Sequence, residues 1–414
     1  MTTRWYHSIR YEYQRWPLWR LDLDLAYILK SLDHKHHPST LIDKNHFLAM
    51  HQWLKHHQWP SVSDEQAITL CAMGDMMWIR SGWINALSAG VKQHLAHADL
   101  TLTNLETPID PARKIPKWVY ETFHYNAPKD YLTSWNVLPS HIQHVFSICN
   151  NHALDQKEEG LQATRNSILE QGTHFHCLGG RNQDEDTLLL TIKGIKIGFM
   201  ASTFAVNHLK THHLTPKGVP IHLFGCPHRE PDWVKIAERI QKMKDKGAEF
   251  IIFSPHWGYE YEYWPDELQR AHALKLIELG VDLILGHSPH VVQPVEMVSI
   301  NNMDVQCPLQ IERQGSKGFG IIAWSLGNFL TIMPTLPCKT GVIFKLDLVK
   351  KDQQIFIKKM ELIPVYTTKS AKAHWLDRQV VCLHELSDSQ NALKARITRH
   401  CQQISPLMNV GDPQ

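Results

Sequence analysis

Residues 67–75 read Ala67-Ile68-Thr69-Leu70-Cys71-Ala72-Met73-Gly74-Asp75: an apolar run of strand length that stops at a glycine and a carboxylate. The pattern returns along the chain. Leu100 to Asn104 runs on to Glu106, and Val145-Phe146-Ser147-Ile148-Cys149 ends in Asn150-Asn151-His152. Glu249 to Ser254 leads to His256, and Asp282 to Leu285 leads to Gly286-His287. Between these runs lie helical patterns at Ser88–His97, Glu158–Gln171, Asp232–Lys246 and Asp266–Leu279. The last three are closed by Gly172, Gly247 and Gly280, a residue that suits the left-handed C′ position. Strands alternating with helices predict an α/β layered fold. Leu188–Ile192 and Lys196–Ala201 flank Gly194 and are expected to form a hairpin. Gly320–Ser325, Gly341–Val349 and Ile355–Val365 follow as later strands.

Outward from this core, residues 1–66 form an N-terminal accessory segment rich in Trp, His and Arg, with helices expected at Leu21–Leu32 and Lys44–His56. His34, His36 and His37 read as a solvated turn before Pro38. The main domain spans 67–365, and 366–414 is expected to be a helical tail with its helix at Ser387–Gln403. Asn207 to Arg229, with His208, His212, His213, His222 and His228, reads as a long loop over the cleft without regular ligand spacing; such loops are often lids or binding loops.

At 414 residues, 43 Lys and Arg set against 41 Asp and Glu leave a formal charge of +2. That near balance argues against a general nucleic-acid binder. Charged residues at 20% and apolar ones at 43% exclude a disordered or coiled-coil chain. Eight cysteines form no CxxC pair, which points to structural thiols in a reducing compartment. No run reaches the roughly 18 to 20 apolar residues of a transmembrane helix, and no signal peptide is legible, so the expected location is cytoplasmic. The anomaly is 28 histidines, the commonest metal ligands.

Asp75, Glu106, Asn151, His256, His287 and His290 each lie just past an apolar strand run, where α/β sheets bind their ligands. Six nitrogen and oxygen ligands, two of them carboxylates, suit two divalent ions. A carboxylate bridging ions about 3.5 to 4 Å apart makes a site for in-line attack on a phosphoryl group. Trp257, Tyr259, Tyr261, Tyr263 and Trp264, alternating with Glu260 and Glu262, are expected either to wall a substrate cleft or to cover a sheet edge. Asn104, Trp257, Glu260 and Asn328 are the residues expected to meet substrate, Asn328 through a bound water or directly. Arg113, Lys114 and Lys117 read as an ordinary solvated loop, with attraction of an anionic substrate as the alternative.

Six blocks, in order over about 270 residues, resemble the capsule and poly-γ-glutamate synthesis proteins of the CapA type, within the calcineurin-like metallophosphatases. They are Gly74-Asp75-Met76-Met77; Asn104-Leu105-Glu106-Thr107-Pro108; Asn150-Asn151-His152 with Asp155; Pro255-His256-Trp257-Gly258 with Glu260; Gly286-His287-Ser288-Pro289-His290; and Ser325-Leu326-Gly327-Asn328-Phe329. The resemblance implies a four-layer α/β/β/α sandwich and two divalent metals, Mn, Fe or Zn. It would place Asp75, Glu106 and His290 on the first metal, Glu106 bridging, and Asn151, His256 and His287 on the second. His152 would stand as proton donor, oriented by Asp155. Three departures mark this chain: Met77 stands where the broader superfamily has a histidine ligand, Glu106 stands where it has the bridging Asp, and the last motif is His-x-x-His. The implied activity is hydrolysis of a phosphoester or amide-type bond by a metal-bound hydroxide, with His152 as general acid. The alternative is a synthesis subunit that binds an anionic polymer without cleaving it. Either way the partner is an anionic small molecule or polymer.

Overall fold

The computed structural model describes residues 6, 21–38, 44–59, 67–114, 124–180, 187–207, 218–222, 224, 230–313, 318–369 and 377–404. Helices α1 (Leu21–Leu32) and α2 (Lys44–His56) precede β1 (Ala67–Met77), α3 (Ala89–Ala96), β2 (Leu100–Glu106) and β3 (Gln143–Ser147). Next come α4 (Lys157–Leu169), β4 (Phe175–Leu178), the hairpin β5 (Thr187–Ile192) and β6 (Ile195–Thr203), and α5 (Trp233–Asp245). The second half holds β7 (Phe250–His256), α6 (Glu267–Leu279), β8 (Leu283–Leu285), β9 (Val295–Ile300), β10 (Gln310–Ile311), β11 (Gly318–Ala323) and β12 (Asn328–Leu330). The short α7 (Leu336–Lys339), β13 (Thr340–Lys351), β14 (Gln354–Lys369), β15 (Arg378–Cys382) and α8 (Asn391–Ile404) complete the chain.

Helix boundaries follow local chemistry. Ser88 caps α3 by accepting from the Val91 N–H, Asp232 caps α5 through Lys235, and Asp266 with Gln269 forms a capping box on α6. Gly280 closes α6 at φ 119°, a conformation costly for any residue with a Cβ.

Among the described residues the strands form two sheets. One has the order β15-β14-β13-β1-β2-β3-β4, with β12 against β1; the other runs β10-β9-β11-β8-β7-β6-β5. Period-two alternation builds the layers. Leu70 and Ala72 of β1 join Leu102, Val145, Ile197, Phe199, Ile252 and Leu285 in the core between the sheets. Cys71 and Met73 point the other way, into a second core with Val91 and Leu95 of α3 and Leu161 and Ile168 of α4. A third core packs Ile251 and Phe253 of β7 on Ile236 and Ile240 of α5 and on Leu276 of α6. Three cores separate four layers, α/β/β/α. Each fully buried Leu, Ile or Phe is worth about 1.5–3 kcal/mol.

Two readings change. The boundary expected at residue 365 falls inside β14, which runs on and pairs with β15 from Val365↔Cys382 to Lys369↔Arg378. The C-terminal segment therefore supplies a sheet edge as well as a helix, and Glu385 clamps α3 through the Gly90 N–H at 2.7 Å. His34 is not in a solvated turn: it is 3% exposed, with Nδ1 3.1 Å from the Tyr263 hydroxyl. His36 and His37 are exposed. No helix among the described residues is long and apolar enough to cross a membrane. The described cysteines are buried and form no disulfide.

Buried histidines are expected to make this fold acid-labile. Burial pushes His144 down to about 3 and His222 to about 4, aided by positive neighbours. The unfolded chain protonates each near 6.5, so they cost nothing above that pH. Below it, each takes up to about 1.4 kcal/mol per pH unit from the native state. The urea midpoint is expected to fall clearly between pH 7 and pH 5; an unchanged midpoint would mean that these imidazoles protonate within the fold.

Candidate metal centre

Strand direction assembles the site. β1, β2 and β3 are parallel neighbours, so Asp75, Glu106 and the Asn150–His152 turn leave the first sheet at the same end. β6, β7 and β8 are parallel in the second sheet, and a bridge between His256 and His287 aligns their ends. The backbone closes around Asp75, whose N–H donates to the Gly327 carbonyl at 2.9 Å.

Asp75 is fully buried. Its Oδ1 accepts from Asn104 Nδ2 at 2.8 Å and lies 3.1 Å from His287 Nδ1. Its Oδ2 accepts the Ser288 N–H at 3.1 Å and lies 3.4 Å from His290 Nδ1. Glu106 Oε1 sits 3.8 Å from both His256 Nε2 and His290 Nε2. Asp75, Glu106 and His256 each present a ligand atom within 4.8 Å of the other two.

The electrostatics follow from this crowding. Burial alone would raise the Asp75 carboxyl, but hydrogen bonds with His287 and His290 and the charge of His287 and His256 hold it well below the usual carboxylate range. Burial and the neighbouring Asp75 charge push Glu106 well above that range. Burial drives His256 well below an ordinary imidazole. His290 rises to about 10, because the Glu106 and Asp75 carboxylates outweigh its burial.

Both oxygens of Glu106, Nε2 of His256, Nε2 of His287 and Oδ1 of Asn151 are buried without a hydrogen-bond partner. A buried polar group left so costs about 1–3 kcal/mol, and here the cost is concentrated on atoms able to ligate a cation. The donor set of carboxylate, amide oxygen and imidazole fits a divalent ion such as Mn, Fe or Zn. Divalent metals are thus the group this site suits.

His152 stands beside the cluster, close enough for its charge to act on His256. Its Nδ1 meets Asp155 Oδ2 at 2.6 Å, and the same oxygen accepts the Tyr125 N–H at 2.7 Å. The Tyr125 ring stacks on the imidazole at 4.0 Å and 13°. The Asn207 N–H donates to the Asn151 carbonyl at 2.7 Å, and its Nδ2 lies 3.4 Å from His152 Nδ1. Sequence reading missed Tyr125 and Asn207. Neither ends a strand that the site uses, and only folding brings them to His152.

Three of the four residues expected to meet substrate are buried. Trp257 is fully buried and faces away from His256, because adjacent strand residues point to opposite faces. Its indole donates to the Trp324 carbonyl and its ring stacks on Trp324 in the outer core. Asn104 is buried too: its amide bonds Asp75, approaches His256 Nδ1 at 3.3 Å and accepts from Asn150. Asn328 does not face solvent; its Oδ1 takes the His290 Nδ1–H at 2.9 Å while its Nδ2 donates to the Cys338 carbonyl. That bond fixes the ring so that Nε2 faces Glu106, as second partners of ligating histidines do. Glu260 stays beside the centre, where its charge acts on Glu106 and His290. Tyr261 and Tyr263 join the inner core.

Met77 is buried, with its sulfur accepting from the Thr331 hydroxyl at 3.3 Å. Arg113 is engaged by Asp110 at 3.1 Å. Lys117, His208, His212, His213 and His228 lie outside the described residues.

Residues 69–332 match the family model described as bacterial capsule synthesis protein PGA_cap. The chain is 27% identical over 190 residues to the capsule biosynthesis protein CapA of Bacillus anthracis, covering 45% of this chain and 39% of that protein. It is 26% identical over 235 residues to the PGA biosynthesis protein CapA of Bacillus subtilis, covering 56% and 53%. The chain thus spans no more than about half the length of these curated relatives. Among solved structures, the calcineurin-like phosphoesterase YfkN from Bacillus subtilis aligns with 82% of this chain and 98% of that one, at 11% identity and a TM-score of 0.39.

Proposed function

The chain belongs to the bacterial capsule synthesis protein PGA_cap family, and on that footing we propose that it is a metal-dependent hydrolase of phosphoester or amide-type bonds in an anionic substrate. The main support is the set of buried, unpartnered ligand atoms on Glu106, Asn151, His256 and His287 beside the His152–Asp155 pair. Two divalent ions held by Asp75, Glu106, Asn151, His256, His287 and His290 would supply Lewis acidity and lower the pKa of bound water.

The chain's own residues then carry the proton. Asp155 binds Nδ1 of His152, which leaves Nε2 as the end that gives a proton to the departing oxygen. The Tyr125 N–H and ring hold that pair in one orientation. Asn104 and Asn328 hold Asp75 and His290 in place.

His152→Ala is expected to lower turnover of a phosphate ester with a poor leaving group by about 10²–10⁴, with metal content unchanged. The assay compares phenyl phosphate hydrolysis and elemental analysis on both proteins. Equal turnover would remove His152 from the mechanism.

One observation favours a second reading, a synthesis subunit that binds an anionic γ-glutamyl polymer without cleaving it. Met77 offers a thioether where a histidine ligand is expected, and thioethers bind hard divalent ions poorly. Saturable binding of poly-γ-glutamate with no product released would select that reading.

A further inference from the structure

Residues 27–36 lie outside the segment that matches the family, yet they grip both loops that hold His290. We propose that this N-terminal segment is a working part of the metal centre, with Tyr27, Lys30 and His34 as positioning residues for His290. The inference rests on reading the cluster as a metal site; it does not depend on hydrolysis.

The first grip is on the loop after β7. Lys30 forms a buried ion pair with Glu262, and Lys35 Nζ reaches the other carboxylate oxygen at 3.4 Å. The Tyr27 and Tyr261 hydroxyls meet at 2.9 Å. The Lys35 N–H donates to the Tyr261 carbonyl at 3.1 Å, and the Trp264 indole donates to the His36 carbonyl at 3.2 Å. On its far side the same loop holds the ligand turn: the Tyr261 N–H donates to the Pro289 carbonyl at 2.9 Å, next to His290.

The second grip is on the segment after β12. His34 Nε2 lies 3.3 Å from the Thr335 hydroxyl and 3.9 Å from Cys338 Sγ. The Cys338 carbonyl accepts from Asn328 Nδ2, and Asn328 Oδ1 takes the His290 Nδ1–H. Two independent chains of contact therefore run from residues 27–36 to one imidazole.

Backbone strain explains why a grip is needed. Tyr261 at φ 65°, Ser288 at φ 96° and His290 at φ 59° all hold left-handed conformations without being glycine. Such a conformation persists only where the surroundings over-determine it. Without the N-terminal contacts, the ligand turn can relax toward φ < 0 and carry His290 Nε2 away from Glu106.

The test titrates Mn²⁺ by calorimetry into full-length, chelator-treated protein. It compares wild type, Tyr27→Phe, the double variant Tyr27→Phe/Lys30→Met, and His290→Ala as the benchmark. Chelated melting temperatures are recorded in parallel. The double variant is expected to weaken, by about tenfold or more, the same binding step that His290→Ala removes. An isotherm within threefold of wild type, even with a lower melting temperature, would mean that the segment only props the fold, and would overturn the inference. Should the double variant fail to fold, Tyr27→Phe alone decides: it removes one hydroxyl, and is expected to weaken that step at least threefold. No binding of Mn²⁺ or Zn²⁺ by wild type would overturn the metal reading itself, and the inference with it.

Discussion

Glu106→Gln is expected to lose at least about 100-fold in divalent-metal affinity and a comparable factor in turnover. Gln keeps the volume and one acceptor oxygen, but it cannot supply the negative charge that balances a cation between His256 and His290. Removing a mere hydrogen-bond partner of a metal ligand costs 10–100-fold, and Glu106 would be a ligand to both ions.

The same substitution has an opposite effect on the metal-free chain. The Glu106 carboxyl is held well above its ordinary range by burial and by Asp75. The native state therefore keeps a proton that the unfolded state has released above about pH 4.5. Stability conferred by that proton is lost as pH rises toward the raised pKa. Gln carries no ionisation, so chelated Glu106→Gln is expected to melt no lower than chelated wild type at pH 8. Elemental analysis and chelated melts at pH 6 and 8 measure both. A full metal load on the variant would exclude Glu106 from the centre. A variant melting well below wild type would show that the carboxylate is comfortably solvated.

Gly286→Ala and Gly74→Ala are expected to cost about 3 kcal/mol or more each, and to lower metal binding as well. A Cβ on Gly286 would stand 1.9 Å from the Trp324 carbonyl oxygen, and one on Gly74 would stand 1.9 Å from that of Gly327. Both obstacles are hydrogen-bonded carbonyls: that of Trp324 accepts the Trp257 indole N–H and that of Gly327 accepts the Asp75 N–H. Overpacking that a side chain can absorb costs about 1–3 kcal/mol, and backbone pinned between strands has less room to yield. The clash lies one residue before His287 in one case and before Asp75 in the other, so relief comes by moving a ligand. Denaturant midpoints and metal content measure the two effects. Midpoints near wild type would show that the strands can part.

Reading residues in order picked out this cluster because its members sit at strand ends, and a strand end is a local event. A run such as Val145 to Cys149 closing on Asn150-Asn151-His152 needs no knowledge of the rest of the chain. Trp257 shows a signal present and overlooked: it follows His256 directly, and period-two alternation sends neighbours to opposite faces. Asn104 and Asn328 differ. Nothing local says whether an amide past a strand end meets solvent or a histidine; Asn104 found Asp75 29 residues away, and Asn328 found His290 38 residues away. Tyr125 carried no signal at all, since it reaches His152 from a loop 27 residues earlier.

The amino-acid order by itself determined which residues could be ligands, where most of the strands and helices that carry them lie, and that strands alternate with helices. Capping, turn chemistry and hydrophobic period act over a few residues, so they are written locally. The tertiary structure decided which side chains meet and which partner each one keeps. Parallel pairing brought Asp75, Glu106 and His152 to one end of one sheet, and the second sheet brought His256 and His287 against them. The N-terminal helix came to lie beside the His290 turn through Lys30 and Glu262, which are 232 residues apart. Such contacts depend on which apolar faces bury one another, a property of the whole chain.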